Sequence, residues 1–123
     1  MVAKSQDLRR RARNSPRLPS RRTVYRDQYD RSEYVAAYVK KVAKGQCALC
    51  LELAPFHDKD GRPYLECHHV IHLAKGGEDT IENAVALCPN CHRRMHKLNR
   101  ADDRKRLLKA VTDRERSRTN QVR

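Results

Sequence analysis

The sequence predicts one small α+β domain with flanking helices. Apolar residues at helical spacing between 35 and 42 predict a helix, and two short apolar runs on either side of Asp60-Gly61 predict a pair of strands. Large apolar side chains are scarce, with no Trp and one Phe in 123 residues. A domain with so few of them usually needs a cross-link in addition to its hydrophobic core.

The N-terminal part of the chain divides into an arm and a helix. Residues 1–23 are rich in Arg, Ser and Pro and have little to bury, which predicts a disordered basic arm. The folded domain is expected over 24–98, and its first helix over 30–44, capped by Asp30 or Ser32. The apolar face of that helix, expected to pack in the core, consists of Val35, Tyr38, Val39 and Val42.

The core of the domain is expected over 45–98. Strands near 51–56 and 63–69 would flank the Asp60-Gly61 turn. The polar, glycine-containing stretch 72–83 predicts a loop.

The chain then returns to regular structure. The apolar run AVAL at 84–87 predicts a short buried strand, and the next helix should open at Pro89 or Asn90. Residues 99–123 predict a charged C-terminal helix or tail. Its narrow apolar side consists of Leu107, Leu108 and Val111.

The chain is strongly basic, with 28 Lys and Arg against 15 Asp and Glu, a net charge of +13 and a pI of about 10.0. Such an excess favours a polyanionic partner, and nucleic acid is the commonest. A basic tail that only raises solubility is the alternative, because many arginines lie at the two ends. No segment is apolar enough to span a bilayer or to act as a signal peptide, so we expect a cytoplasmic protein without a membrane partner.

Four of the five cysteines form two Cys-x-x-Cys pairs separated by 37 residues. In a reducing compartment such pairs favour metal over disulfides. Two pairs can close a tetrahedral four-sulfur site with no open position, which is typical of structural Zn²⁺ and would supply the missing cross-link. The zinc ligands are therefore predicted to be Cys47, Cys50, Cys88 and Cys91, whereas Cys67 is expected to be an ordinary buried residue.

A histidine cluster lies between the two cysteine pairs and just after them. His92 and His96 are four residues apart on a predicted helix, so their side chains share a face and can bind one divalent ion. Either His68 or His69 could complete an open, catalytic type of site, and the other would be free to accept a proton from water. Strand neighbours point to opposite faces, so both can serve one site only if the strand ends or bends there.

These motifs resemble the HNH endonuclease family, whose fold is the ββα-metal (His-Me finger) domain. The resemblance covers roughly residues 32–97 and is carried by LECHHV, GG-x-D, Asn83, LCPNCH and His96. The wider frame, RSEYVAAYVKKVAKGQCALC, APF and G-x-PYLE, is similar to the HNH modules of bacterial McrA-like restriction enzymes, which cut modified DNA.

The resemblance implies a role for each matching residue. His69 would be the general base that activates the attacking water, Asn83 would pin the loop and orient that base, and Glu66 would buttress the site. The ligands implied for the catalytic ion are His68, His92 and His96, the last as a further ligand or a phosphate contact.

The predicted activity is metal-dependent hydrolysis of phosphodiester bonds in DNA, most of all double-stranded DNA. The ion could be Mg²⁺, Mn²⁺, Ni²⁺ or Zn²⁺, since histidine ligation admits each of them. Three basic residues beside the helical histidines are expected to contact DNA phosphates, namely Arg93, Arg94 and Lys97.

Several alternatives fit the same residues. A zinc-stabilised module that binds nucleic acid without cutting it would keep the cysteines and the charge, but it would leave the histidine spacing unexplained. A zinc deaminase is excluded because no His-x-Glu occurs and Leu87, not Pro, precedes Cys88. No base-reading element is visible, so the chain fits a non-specific nuclease, a nickase or the cutting module of a larger enzyme. It fits both a homodimer and a chain that works with a separate DNA-reading module.

Overall fold

A computed structural model describes residues 4–25 and 28–121, without the side chains of 119–121. The parts of the predicted arm, domain and tail at 1–3, 26–27 and 122–123 lie outside the described residues. The elements in chain order are the helices α1 (Ser5–Arg13) and α2 (Glu33–Ala43), the strands β1 (Glu66–His69) and β2 (Ala84–Leu87), and the helices α3 (Pro89–Leu98) and α4 (Ala101–Gln121). This arrangement confirms the predicted α+β class.

Helix α1 lies in the arm that the sequence predicts to be disordered. The prediction of disorder across 1–23 therefore has to be corrected for Ser5–Arg13, although none of these residues is buried. Asp7 forms ion pairs with Arg10 at 2.6 Å and Arg11 at 3.1 Å, which are the local contacts that stabilise an exposed helix.

Helix α2 is shorter than the predicted 30–44. Ser32, and not Asp30, caps it, because the Ser32 side chain accepts a hydrogen bond from the backbone N–H of Val35 at 3.3 Å. The helix ends at Lys44, which has a left-handed backbone with φ of 52°. It packs against β1 and β2 and contributes Val39, which is 1% exposed, to the core.

The hairpin expected over 51–56 and 63–69 forms only in part. Tyr64 N–H donates to the carbonyl of Phe56 at 2.9 Å, but the pairing before Glu66 consists of the isolated bridges Gln46–Leu53 and His57–Pro63. The prediction of a strand at 51–56 is therefore wrong, and the second strand is limited to β1. Proline is the physical reason, because Pro55 and Pro63 have no N–H to donate to a ladder.

The two true strands form an antiparallel pair, with Glu66 opposite Leu87 and His69 opposite Ala84. All four residues of β2 are buried, as expected for AVAL. The loop between the strands, predicted over 72–83, contains 3-10 turns at Leu73–Lys75 and Ile81–Asn83.

Two helices complete the fold. Helix α3 opens at Pro89 with Cys88 as its N-cap. Helix α4 buries Leu107 and Val111, whereas Leu108 is 41% exposed, so only two of the three residues of its predicted apolar side reach the core. None of the helices in residues 4–25 and 28–121 combines the length and apolar character needed to cross a bilayer.

Candidate active site

The two Cys-x-x-Cys pairs meet at one point between the start of the core and the start of α3. Their sulfur atoms lie within 4.8 Å of one another. Cys47 Sγ accepts a hydrogen bond from Leu49 N–H, and Cys88 Sγ accepts one from Cys91 N–H, both at 3.4 Å. Burial raises the pKa of the Cys47 thiol, but backbone N–H groups outweigh this effect and lower the pKa below its usual value. Four clustered sulfurs, two of which accept backbone N–H groups, fit a tetrahedral zinc ion.

A second group of possible ligands consists of three histidines, one on β1 and two on α3. The ring nitrogens of His68, His92 and His96 lie within 4.8 Å of one another, and the Nε2 atoms of His92 and His96 are 3.1 Å apart. The ring centroid of His68 is 5.2 Å from that of His92 and 5.3 Å from that of His96. The three predicted ligands are therefore brought together.

Burial controls the protonation of this group. His68 is 1% exposed, and burial, with the neighbouring histidines, lowers its pKa to about 3. Burial also lowers the pKa of His96. The Nε2 atom of His68 is buried and has no hydrogen-bond partner in the described part of the chain. Neutral imidazoles with an unpartnered buried nitrogen fit a divalent metal ion.

Glu66 supports this group from β1. Its Oε1 lies 2.8 Å from Nδ1 of His92, and its Oε2 accepts a hydrogen bond from the Tyr64 hydroxyl at 2.7 Å. The Tyr64 hydroxyl, followed by His92, lowers the pKa of the Glu66 carboxyl. A carboxylate on Nδ1 leaves Nε2 of His92 for a metal and fixes the orientation of the ring.

His69 lies beside the three-histidine group and is 8% exposed. Its Nε2 is 2.8 Å from Oδ1 of Asp79, and Oδ2 of Asp79 accepts the backbone N–H of Ser32 at 2.5 Å. The Ser32 N–H, followed by His69, lowers the pKa of the Asp79 carboxyl. Because β1 ends at His69, both His68 and His69 can line the same cavity of about 310 Å³.

Asn83 fastens the loop that follows His69. Its side-chain oxygen accepts the N–H of Ile71, and its amide nitrogen donates to the carbonyls of Ile71 and Glu78, all at 2.8–2.9 Å. Its own carbonyl accepts the N–H of Val70 at 2.8 Å. Asn83 contacts the residues next to His69 through these bonds, so any effect on the orientation of the base passes through the backbone.

The three predicted DNA contacts do not occupy equivalent positions. Arg93 and Lys97 are exposed on α3. Arg94 instead forms a two-point ion pair with Asp103 of α4, at 3.0 and 3.1 Å, and Asp103 is 2% exposed. Releasing Arg94 would leave a buried carboxylate unpaired, so this ion pair links α3 to α4, and the contact of Arg94 with DNA stays a prediction.

Sequence reasoning gave no role to Asp79, Tyr64 or His72, although all three contact the predicted site. The signal for Asp79 was the GG-x-D pattern, which was part of the resemblance. Tyr64 lies two residues before Glu66, so the two side chains point to the same face of an extended segment, and this spacing is the signal that could have found it. The ring of His72 stacks on His96 with centroids 5.0 Å apart.

A four-sulfur site and an open three-imidazole site, carried by two strands and a helix, together define a ββα-metal domain. Residues 47–98 match the family model described as HNH endonuclease. The segment 47–98 is therefore a domain of the HNH endonuclease type.

Two curated proteins are similar to parts of the chain. It is 54% identical over 68 residues to the Type IV methyl-directed restriction enzyme EcoKMcrA of Escherichia coli (strain K12), which covers 55% of this chain and 24% of that enzyme. It is 34% identical over 59 residues to Anaredoxin of Nostoc sp. (strain PCC 7120 / SAG 25.82 / UTEX 2576), which covers 48% of this chain and 67% of that protein. The chain thus spans about a quarter of the first relative and about two thirds of the second.

A solved structure has a similar fold. The Type IV phosphorothioation-dependent restriction endonuclease ScoMcrA superposes with a TM-score of 0.61 at 30% identity. The similarity covers 71% of this chain and 17% of that chain.

Proposed function

We propose that this chain is a metal-dependent endonuclease that hydrolyses phosphodiester bonds of double-stranded DNA. The single observation that carries the proposal is the cavity in which three clustered imidazoles lie beside the His69–Asp79 pair. Two similar proteins are named as restriction enzymes, which supports DNA as the substrate. Since this chain spans only 24% and 17% of them, we propose the cutting function alone and no preference for modified DNA.

The residues of the chain divide the chemistry between them. A divalent ion bound by His68, His92 and His96 would act as a Lewis acid that stabilises charge developing on the scissile phosphate. Glu66 holds the His92 ring in the orientation that such binding requires. Mg²⁺, Mn²⁺, Ni²⁺ and Zn²⁺ are all candidates.

His69 is the proposed general base. With its Nε2 held by Asp79, the ring of His69 would present Nδ1 as the proton acceptor for the attacking water. Asn83 would keep the following loop in place, and Arg93 and Lys97 would bind flanking phosphates from the exposed side of α3.

The four-sulfur site is proposed to hold structural Zn²⁺. Its cysteines join the loop before Leu51 to the start of α3, so the ion would fix α3, and with it His92 and His96, relative to the rest of the core.

The test is a supercoiled-plasmid assay at low salt with Mg²⁺, Mn²⁺ or Ni²⁺, comparing the wild type with His69→Ala. Zinc content is measured for both proteins. We expect the wild type to nick or linearise the plasmid and the variant not to, while both keep one zinc. If the wild type binds DNA but does not cut it with any of these metals, the proposal is overturned in favour of a binding module. His57→Ala, an exposed histidine outside the cavity, is the matched control and should cut normally.

A further inference from the structure

A fourth histidine, His72, lies in the same cluster as the three proposed ligands. Its ring stacks on His96 with 5.0 Å between centroids and 29° between planes, and it meets His68 edge-on at 5.6 Å. The rings of the three proposed ligands are themselves 4.8, 5.2 and 5.3 Å apart. His72 therefore stands from two of them at nearly the spacing that the ligands keep among themselves.

The Nε2 atom of His72 is buried and lacks a hydrogen-bond partner within the described residues. His68 is the other histidine there with a buried ring nitrogen in this condition. Buried polar atoms in proteins are nearly always satisfied, so both nitrogens call for a partner that the described chain does not supply. Both residues line the cavity of about 310 Å³, where one ion could serve both.

The backbone around His72 is held from two sides. Asn83 binds both the N–H and the carbonyl of Ile71 through its side chain. The carbonyl of His72 accepts the N–H of Lys75 at 2.9 Å and that of Gly77 at 3.0 Å. A side chain at Gly77 would place its Cβ 1.9 Å from the carbonyl oxygen of Ile71, so the two backbone segments touch. The position of His72 is thus fixed by the fold of the loop.

We propose that His72 is a fourth imidazole ligand of the ion held by His68, His92 and His96. This inference rests on the metal site of the proposed function and goes beyond its three ligands. A fourth nitrogen donor favours borderline transition ions such as Mn²⁺, Co²⁺, Ni²⁺ or Zn²⁺ over Mg²⁺, which prefers oxygen ligands. Ions of this group that accept six ligands would still have positions for substrate and water.

The test compares His72→Phe with the wild type, because phenylalanine keeps an aromatic ring against His96 but offers no nitrogen. Protein that already carries one zinc is titrated with Ni²⁺ and Mn²⁺ by calorimetry, and the imidazoles around bound Mn²⁺ are counted by pulsed electron paramagnetic resonance. We expect four imidazoles in the wild type and three in His72→Phe, with Ni²⁺ affinity lowered at least tenfold. His96→Ala should lower it similarly, and His57→Phe should not.

The inference would be overturned if the wild type shows three imidazoles around Mn²⁺ and the Ni²⁺ affinity of His72→Phe lies within twofold of the wild-type value. His72 would then be a packing residue. Zinc content and thermal unfolding of His72→Phe show whether the variant is folded. If it is not, His72→Gln is substituted, since glutamine is smaller and polar. Failure of the nuclease proposal can be distinguished from failure of this inference. Four imidazoles around the ion without DNA cleavage would uphold the proposed ligand set, whereas cleavage with three imidazoles would uphold only the nuclease function.

Discussion

His69 and Asp79 are joined by a 2.8 Å contact between Nε2 and Oδ1, and the same carboxylate accepts the backbone N–H of Ser32. Ser32 is the N-cap of α2, so one carboxylate connects the end of β1 with the start of a helix. The orientation of the proposed base is therefore set by residues far apart in the sequence. Asp79 acts on the proposed chemistry through His69 and is a positioning residue.

Asp79→Asn should lower the cleavage rate constant about 10- to 100-fold while DNA affinity changes little. The amide of asparagine can donate an N–H to Nε2 of His69, where the carboxylate accepted one. This favours the tautomer that is protonated on Nδ1, which cannot act as the base. Single-turnover cleavage measures the rate, and fluorescence anisotropy with uncut DNA measures the affinity. Glu78→Gln removes a charge one residue away and serves as the control. Cleavage by Asp79→Asn at the wild-type rate would show that His69 needs no such support.

The pH dependence of stability tests the same carboxylate. The Ser32 N–H and His69 lower the pKa of Asp79. Its stabilising contribution is therefore complete at pH values above its ordinary pKa near 3.8, and it is lost only as the pH falls through the lower pKa of the folded state. The free energy of unfolding should therefore differ between wild type and Asp79→Asn by about 1–2 kcal/mol, and this difference should not become smaller as the pH is lowered from 8 to 5. Urea unfolding at constant zinc measures it. A difference that shrinks within this range would mean that Asp79 takes up a proton there.

Arg94 and Arg93 should separate stability from DNA binding. Arg94→Ala leaves the buried Asp103 carboxylate without its ion-pair partner and should lower the free energy of unfolding by about 1–3 kcal/mol. This is below the usual penalty for a buried pair because the Arg94 side chain is 44% exposed. Arg93→Ala should leave stability unchanged but weaken DNA binding and reduce the salt dependence of the affinity by about one ion. Urea unfolding and salt-dependent anisotropy measure the two effects. The reverse pattern would make Arg94 a DNA contact and not a structural link.

The two adjacent glycines of the loop make a matched pair. Gly77→Ala would drive its Cβ into the carbonyl of Ile71 and must displace the segment that carries His72. The Cβ of Gly76→Ala would meet no atom within 4 Å, but residue 76 has a left-handed backbone with φ of 85°. An alanine in this conformation costs about 1 kcal/mol in stability. We expect Gly77→Ala to lower Ni²⁺ affinity and stability far more than Gly76→Ala. Equal effects of the two variants would mean that the close approach does not matter.

The sequence predicted each pair of ligands because the spacing within a pair is local, whereas the choice of His68 as the third imidazole came from the family resemblance. Two residues between cysteines and three between His92 and His96 place those side chains together whatever the rest of the chain does. The contacts of Arg94 with Asp103 and of Asp79 with Ser32 depend on how helices pack, and no spacing encodes them. For this reason the sequence did not indicate that Arg94 pairs with Asp103.

The strand pattern was harder to predict because proline interrupts the hairpin that the apolar alternation indicates, and β1 pairs with a strand that is distant in the sequence. The alternation around Asp60-Gly61 is that of a hairpin, and its turn forms, with Gly61 N–H donating to the carbonyl of Asp58 at 3.0 Å. Apolar alternation does not reveal that the ladder is limited to a single bridge at Pro63, or that β1 pairs instead with β2 across the loop. That pairing brings His68 towards α3, and it is a long-range contact.

Removal of zinc should unfold the domain, whereas removal of the catalytic ion should not. Structural zinc in small domains contributes about 10 kcal/mol of apparent folding free energy, and the buried apolar core here is small. Cys50→Ser, or a strong chelator added to the wild type, should abolish the far-ultraviolet circular dichroism of α3 and of the strands. His96→Ala should bind Ni²⁺ at least tenfold more weakly and retain its zinc, its dichroism and its thermal transition. If the chelated protein kept a cooperative transition, the hydrophobic core alone would hold the fold, and the four-sulfur site would need a role other than structural support.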